Sequence, residues 1–206
     1  MKKFSRGFTL MELGVTLTLA AVILAFAVPN LRAFKINGRM TNTANDVLAS
    51  ISKARTEAIK RQVTVSMCAS SNPLAASPTC TDGATAGFIV FVDANPTTPD
   101  CLFNTGDTLL DQRAYDNSMA NNLLVVKANG NCISYAPTGF LLSITGRTRA
   151  TRLLFCDNRN LAAQAGTADS AARGVMIETT GRARVSRDRS SGLSSDMTTW
   201  SGITCP

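Results

Sequence analysis

Residues 7–31 read GFTLMELGVTLTLAAVILAFAVPNL. From Phe8 to Val28 the run is apolar except for three threonines and Glu12. At 1.5 Å per helical residue it covers about 31 Å, the thickness of a bilayer's hydrocarbon core. A carboxylate in such a run costs several kcal/mol of insertion free energy and calls for a partner. Lys2, Lys3 and Arg6 precede the run, so the positive-inside rule keeps this end cytoplasmic and sends the rest across. Two ordinary readings compete. A cleaved secretory signal would use Ala25-Phe26-Ala27 as its A-x-A site, but the apolar run exceeds the 7–15 residues of such signals. An uncleaved anchor fits the length. Neither gives Glu12 a role.

Pro29 marks a kink or interruption at the end of the run. Beyond it Met40, Ala44, Val47, Leu48, Ile51, Ala54, Ala58 and Ile59 recur at three- and four-residue steps. The spacing predicts one long helix from Phe8 to about Arg61, its second half amphipathic and packed on a globular head. After Val63 the period shortens. Val63–Met67, Phe88–Val92, Leu123–Val126, Cys132–Tyr135, Leu153–Phe155 and Val175–Ile177 are short β-prone runs punctuated by Gly, Pro, Asn and Asp. Ser70–Ala86 and Gly166–Ala172 read as loops. The fold class is α+β, with the long N-terminal helix covering a mainly antiparallel sheet.

Histidine is absent from the 206 residues. That removes His-based triads, His-ligated metal sites and the usual general base; the chain reads as a non-enzyme with no cofactor and no metal. The formal charge of +7 is uneven. Five Asp against Arg113 give Asp93–Asp116 a net of −4, and nine Arg against four acids give Arg147–Arg189 a net of +5. Past Lys127 every basic residue is Arg, whose planar fork suits phosphate. This asymmetry fits an acidic partner or a solvated basic face. Asp93-Ala94-Asn95 invites a calcium reading, yet the sixth and twelfth positions of an EF-hand loop would be Thr98 and Asn104; a solvated acidic loop is favoured. The six cysteines, at positions 68, 80, 101, 132, 156 and 205, contain no CxxC pair. Their even number in an exported domain implies three disulfides. Of fifteen connectivities, Cys68–Cys80, Cys101–Cys132 and Cys156–Cys205 each close a loop between plausible strand ends.

The sharpest pattern is Gly181-Arg182-Ala183-Arg184. Gly181 can take the positive φ of a turn. Arg182 and Arg184, two apart on a strand, would share a face and meet adjacent phosphates. Arg187 and Arg189 continue the basic cluster into a Ser/Gly-rich tail. The bland alternative is a hairpin with solvated arginines. Trp200 reads as packed near Cys205 rather than as a stacking platform.

The N-terminus resembles the class III signal of type IV prepilins and pseudopilins: a basic leader, Gly7, Phe8, then Thr9-Leu10-x-Glu12-Leu13 and an apolar helix. Met11 departs from the branched aliphatic that is commoner there. The resemblance implies cleavage after Gly7 by prepilin peptidase and N-methylation of Phe8. Cleavage leaves +4 on the mature chain, because three of its 21 basic residues go with the leader. It also creates an amine four residues before Glu12, on one helix face. In the family this carboxylate meets the amine of a neighbouring subunit, and an unpaired buried charge favours that docking.

Pro137-Thr138-Gly139, Gly87–Asp93 and Thr179–Val185 make the head similar to that of GspH pseudopilins and FimT minor pilins, whose GRxR motif, in FimT-like members, contributes to DNA binding. The resemblance implies a type IV pilin-like fold in three parts: leader 1–7, transmembrane and assembly helix 8–33, and periplasmic head 34–206 including amphipathic helix 34–61. The implied place is the inner membrane, single-pass with the N-terminus cytoplasmic, and then the pilus and cell surface. Implied partners are other major and minor pilins, prepilin peptidase and the DNA backbone, bound during uptake for natural transformation. Two other functions share the anchor and head: an H-type pseudopilin of a type II secretion system, and a pilus-priming minor pilin whose basic face meets a subunit.

Overall fold

The computed structural model describes residues 9–81, 86–95, 98–115, 125–157 and 169–188. Helix α1 runs from Leu10 to Arg61 and continues through Pro29. The chain divides into two compact units, Met1–Gly38 and Arg39–Pro206. In the first, Leu10–Val28 forms a 19-residue span long and apolar enough to cross a membrane. Its large apolar side chains, among them Leu13, Leu17, Ile23 and Phe26, are exposed.

In the second unit, α1 continues from Arg39 with the expected amphipathic stripe. Met40, Ala44, Val47, Ile51, Ala54 and Ala58 are wholly buried. Ile59, expected on that stripe, lies instead at its margin, 44% exposed. Among the described residues nine strands follow: β1 Val65–Ser70, β2 Gly87–Val92, β3 Thr108–Ala114, β4 Val125–Ala128, β5 Cys132–Tyr135, β6 Leu141–Leu142, β7 Arg152–Cys156, β8 Asp169–Ile177 and β9 Ala183–Asp188. They form a five-stranded sheet of order β3-β2-β1-β5-β6 and a four-stranded sheet of order β4-β7-β8-β9. Every pair of these strands is antiparallel. The architecture is α+β.

Alternation along the strands sorts the core. Val65, Met67, Phe88, Val90, Ile133 and Tyr135 of the larger sheet join the helix stripe in one cluster with Leu153, Phe155, Val175 and Ile177 of the smaller. This is the inner face of both sheets. Polar ties add to it: Ser50 donates to Asp111 Oδ2 at 3.1 Å, Lys53 Nζ to Leu110 O at 3.0 Å, and the buried Arg173 Nε to Thr41 Oγ1 at 3.3 Å.

The outer face of the five-stranded sheet is covered as well. Cys68, Ile89 and Phe91 pack there with Phe103 and Leu109, and Cys101, Cys132 and Ile144 form a second group. Disulfides Cys68–Cys80 and Cys101–Cys132 hold the covering loops. Cys156 is also disulfide-bonded; Cys205, its expected partner, lies outside the described residues.

Several expectations need correction. Asp169–Ala172, expected in a loop, is the first part of β8, where Asp169 pairs with Asp188 of β9 despite the weak β propensity of the segment. Strand β3 was not foreseen, because Thr108–Ala114 carries Asp, Gln and Arg at an edge. Strand β6 is two residues long and has no readable period. Asp93 is not part of a solvated acidic loop: it is 3% exposed. Its Oδ2 accepts from the Ser66 hydroxyl at 3.2 Å and the Cys101 N–H at 3.0 Å, and Ser66 in turn contacts Ser134 Oγ at 2.6 Å. Burial pushes the Asp93 carboxyl above its ordinary range despite those hydrogen bonds.

Candidate nucleic-acid interface

The β8–β9 connection is a four-residue turn, Glu178-Thr179-Thr180-Gly181. The Gly181 N–H donates to Glu178 O and the Glu178 N–H to Arg182 O, both at 2.8 Å. Gly181 takes φ +81° and is buried. A Cβ there would lie 2.4 Å from Gly139 O and 2.9 Å from Tyr135 Cε1. Glycine is therefore required twice, by backbone conformation and by space.

Three other elements pin the turn. Tyr135, on β5, donates its buried hydroxyl to Gly181 O at 3.1 Å. Burial pushes this phenol up to about 12, with the Arg55 charge acting the other way. Gly139, at φ +79°, lets the β5–β6 turn approach Ile59 and Arg55 of α1: a Cβ on it would meet Ile59 Cδ1 at 2.6 Å. Arg55 Nε comes within 3.3 Å of where a Gly181 Cβ would stand. The hairpin is thus seated on the inner layer by Tyr135, Gly139 and Arg55. None of these was singled out as a site residue from sequence; Gly139 stood only in a motif, and the pairing of distant turns leaves no local pattern.

Past the turn, alternation places the arginines. Ala183 and Val185 pack against the core, while Arg182 and Arg184 are exposed on the opposite face. Neither arginine has an ion pair or hydrogen-bonded side chain among the described residues. Arg187 lies in β9, its side chain outside the described set, as is all of Arg189; Trp200 lies outside it too.

At the other end, Gly7 and Phe8 are outside the described residues. The Glu12 N–H donates to Thr9 Oγ1 at 3.2 Å, so Thr9 caps α1 and Glu12 occupies its first turn. The Thr-x-x-Glu pattern of a capping box was present in the sequence and passed over. An acid there is also favoured by the helix dipole.

A cavity of about 250 Å³ lies beside α1, with Arg39, Asp46, Arg113 and Tyr115 in its wall. It brings no nucleophile against a base. Among the described residues, no three His, Cys, Asp or Glu side chains converge on a metal-sized point.

Residues 43–181 match the family described as Type II transport protein GspH. Two crystal structures of the type IV minor pilin FimU from Pseudomonas aeruginosa resemble the fold. They are 18% and 17% identical, with TM-scores of 0.45 and 0.41. The matches cover 74% and 71% of this chain and 92% and 91% of theirs. A comparison with curated proteins returns no match.

Proposed function

The chain belongs to the GspH family, and from that premise we propose that it is a minor pilin of a type IV pilus that binds the DNA backbone during uptake for natural transformation. Leader 1–7 is removed after Gly7, Phe8 is methylated, and Glu12 meets the amine of a neighbouring subunit as helix 8–33 enters the filament. The head, 34–206, then presents Arg182 and Arg184 to phosphate, with Arg187 and Arg189 following. What carries the DNA reading is the pair of exposed guanidiniums, without an ion pair among the described residues, on one face of a hairpin whose turn is fixed by packing. Binding through phosphates positions the duplex without reading its bases.

The test is a titration of the full chain, in neutral detergent micelles, with labelled duplex DNA between 50 and 200 mM salt. Wild type is compared with Arg182→Ala/Arg184→Ala. Each phosphate contact contributes about 0.9 to the slope of log K against log salt, so the double variant should lose about 1.8 of that slope along with most of its affinity. No binding at 50 mM salt would end the DNA reading and favour an H-type pseudopilin of a type II secretion system, in keeping with the family's description as Type II transport protein GspH. Equal binding by the double variant would clear these two arginines.

A further inference from the structure

We infer that Phe140 is a base-stacking platform beside Arg182, so that this site takes unpaired nucleotides in preference to a closed duplex. The inference rests on the DNA-binding reading above and names the form of DNA the site holds. Within Arg39–Pro206, the large apolar side chains exposed among the described residues are Ile59, Leu74 and Phe140. Only Phe140 is aromatic, and it is 55% exposed. It lies in the β5–β6 turn, next to Gly139. The Gly139 N–H donates to Ala136 O at 2.8 Å and the Ala136 N–H to Phe140 O at 3.0 Å, so the backbone beneath the ring is held.

The β5–β6 and β8–β9 turns meet at their glycines. A Cβ on Gly181 would stand 2.4 Å from Gly139 O, and that carbonyl belongs to the peptide leading into Phe140. Bond lengths then put Phe140 Cα within about 7 Å of Gly181 Cα and about 11 Å of Arg182 Cα. Leu141 enters the core cluster and Ala183 packs against it, while the residue before each, Phe140 and Arg182, is exposed. Ring and guanidinium thus stand out from one core at a spacing that a single nucleotide can bridge, its base on the ring and its phosphate on the arginine.

The charges around the two turns favour a phosphate. Arg55, half-buried on α1 behind them, has no ion pair among the described residues, and its charge reaches Tyr135. Glu57, two residues further on, is paired with Arg61. Glu178 is the acid of the turn itself and is exposed; Arg55, Arg182 and Arg184 outnumber it. Asp169 and Asp188 pair at the far end of β8 and β9, about 17 Å along the strand from Ala183. A closed duplex offers phosphates to the arginines but keeps its base faces inside the stack, so the ring gains nothing from it. An unpaired base offers the ring a face, and any base will serve. One exposed ring is also far short of the ~800 Å² a side that a stable protein interface buries.

The test titrates the full chain, in neutral detergent micelles, with labelled single-stranded oligothymidine and with a duplex of equal length. Wild type is compared with Phe140→Leu, Phe140→Trp and Arg182→Gln. Wild type should bind the single strand more tightly than the duplex. Phe140→Leu should weaken single-strand binding about tenfold, as the loss of one base stack does, and leave the salt slope and the duplex affinity unchanged; Phe140→Trp should restore it. Arg182→Gln should weaken both forms and lower the single-strand slope by about 0.7. As a readout that needs no variant, iodouracil-substituted single strand is irradiated on the wild-type chain and the cross-linked residue is mapped by mass spectrometry; it should be Phe140. If wild type binds DNA but Phe140→Leu matches it on the single strand, or weakens both forms alike, the inference fails while the DNA reading stands. If Phe140→Leu changes the oligomeric state of the DNA-free chain and not its single-strand affinity, the ring belongs to a subunit contact and the inference is overturned. If Phe140→Leu does not fold, cross-linking that spares Phe140 overturns it equally. Absence of any binding by wild type removes both readings.

Discussion

The two sheets share an inner face but differ at the margins of their outer faces. The five-stranded sheet hides its outer face under loops stapled by Cys68–Cys80 and Cys101–Cys132, with a buried polar chain of Asp93, Ser66 and Ser134 beneath them. The four-stranded sheet leaves Arg182 and Arg184 exposed beside its β9 edge. One outer face is a second core; on the other, Leu154 and the disulfide-bonded Cys156 of β7 are buried too, and the charge is exposed at the β9 margin. A disulfide-held layer adds stability where a small head needs it, and it also removes that face from contact with a large ligand.

The contrast breaks first at the disulfides. Replacing Cys101 and Cys132 by Ser opens a link of sequence separation 31, worth about 4 kcal/mol by the loop-entropy relation. The corresponding change at Cys68 and Cys80, separation 12, should cost about 3 kcal/mol. Urea unfolding measures both losses. DNA affinity of the folded fraction should be unchanged, and a fall in affinity would mean that the covered sheet also takes part in binding.

Next in size is the hinge between the layers. Gly181→Ala must place a Cβ at positive φ, about 1–2 kcal/mol, and against Gly139 O besides. It should lower both stability and DNA affinity, because the turn that aims the arginines moves. A variant with full stability and weakened binding would show that Gly181 itself touches the ligand.

The smallest effects come from one chemical change made on both sheets. Asp93 has a raised carboxyl pKa through burial, so the folded state holds its proton to higher pH than the unfolded chain does. Its contribution to stability is greatest below the ordinary carboxylate pKa and is lost as pH rises through the folded value. Asp93→Asn should therefore gain on wild type in urea unfolding as pH rises from about 3.5 through that window, with DNA binding unaltered. Glu178→Gln should leave unfolding unchanged and tighten DNA binding about twofold to threefold, as expected for one screened surface charge. Reversed outcomes for the two carboxylates would erase the distinction between the faces.

Much of this arrangement could be read from the chain, and the parts that could not share a physical cause. The stripe from Met40 to Ala58 repeats with the helical period and is buried as the period requires. The β-branched and aromatic runs of β1, β2, β5 and β7 carry their own signal. Cys68–Cys80 and Cys101–Cys132 are formed, but loop closure alone only made them a preference among fifteen connectivities. By contrast, β3 and the first half of β8 are strands because neighbours pair with them, and Asp93 is buried because a disulfide-bound loop folds over it. Such facts belong to tertiary contacts. At the candidate site, the alternation of Arg182 and Arg184 was local and legible. The seating of Gly181 against Gly139 and Tyr135 depends on contacts between distant turns, which no single segment encodes.

The seating of Gly181 separates two pressures that a motif search merges. The glycine is demanded by the carbonyl of Gly139 and the ring of Tyr135 whatever the protein binds, whereas the arginines beside it face solvent and make no demand on the fold. In related chains the glycine should persist while the arginines come and go. A pattern search anchored on the glycine would then recover the hairpin, and only the outward positions would tell which hairpins handle nucleic acid.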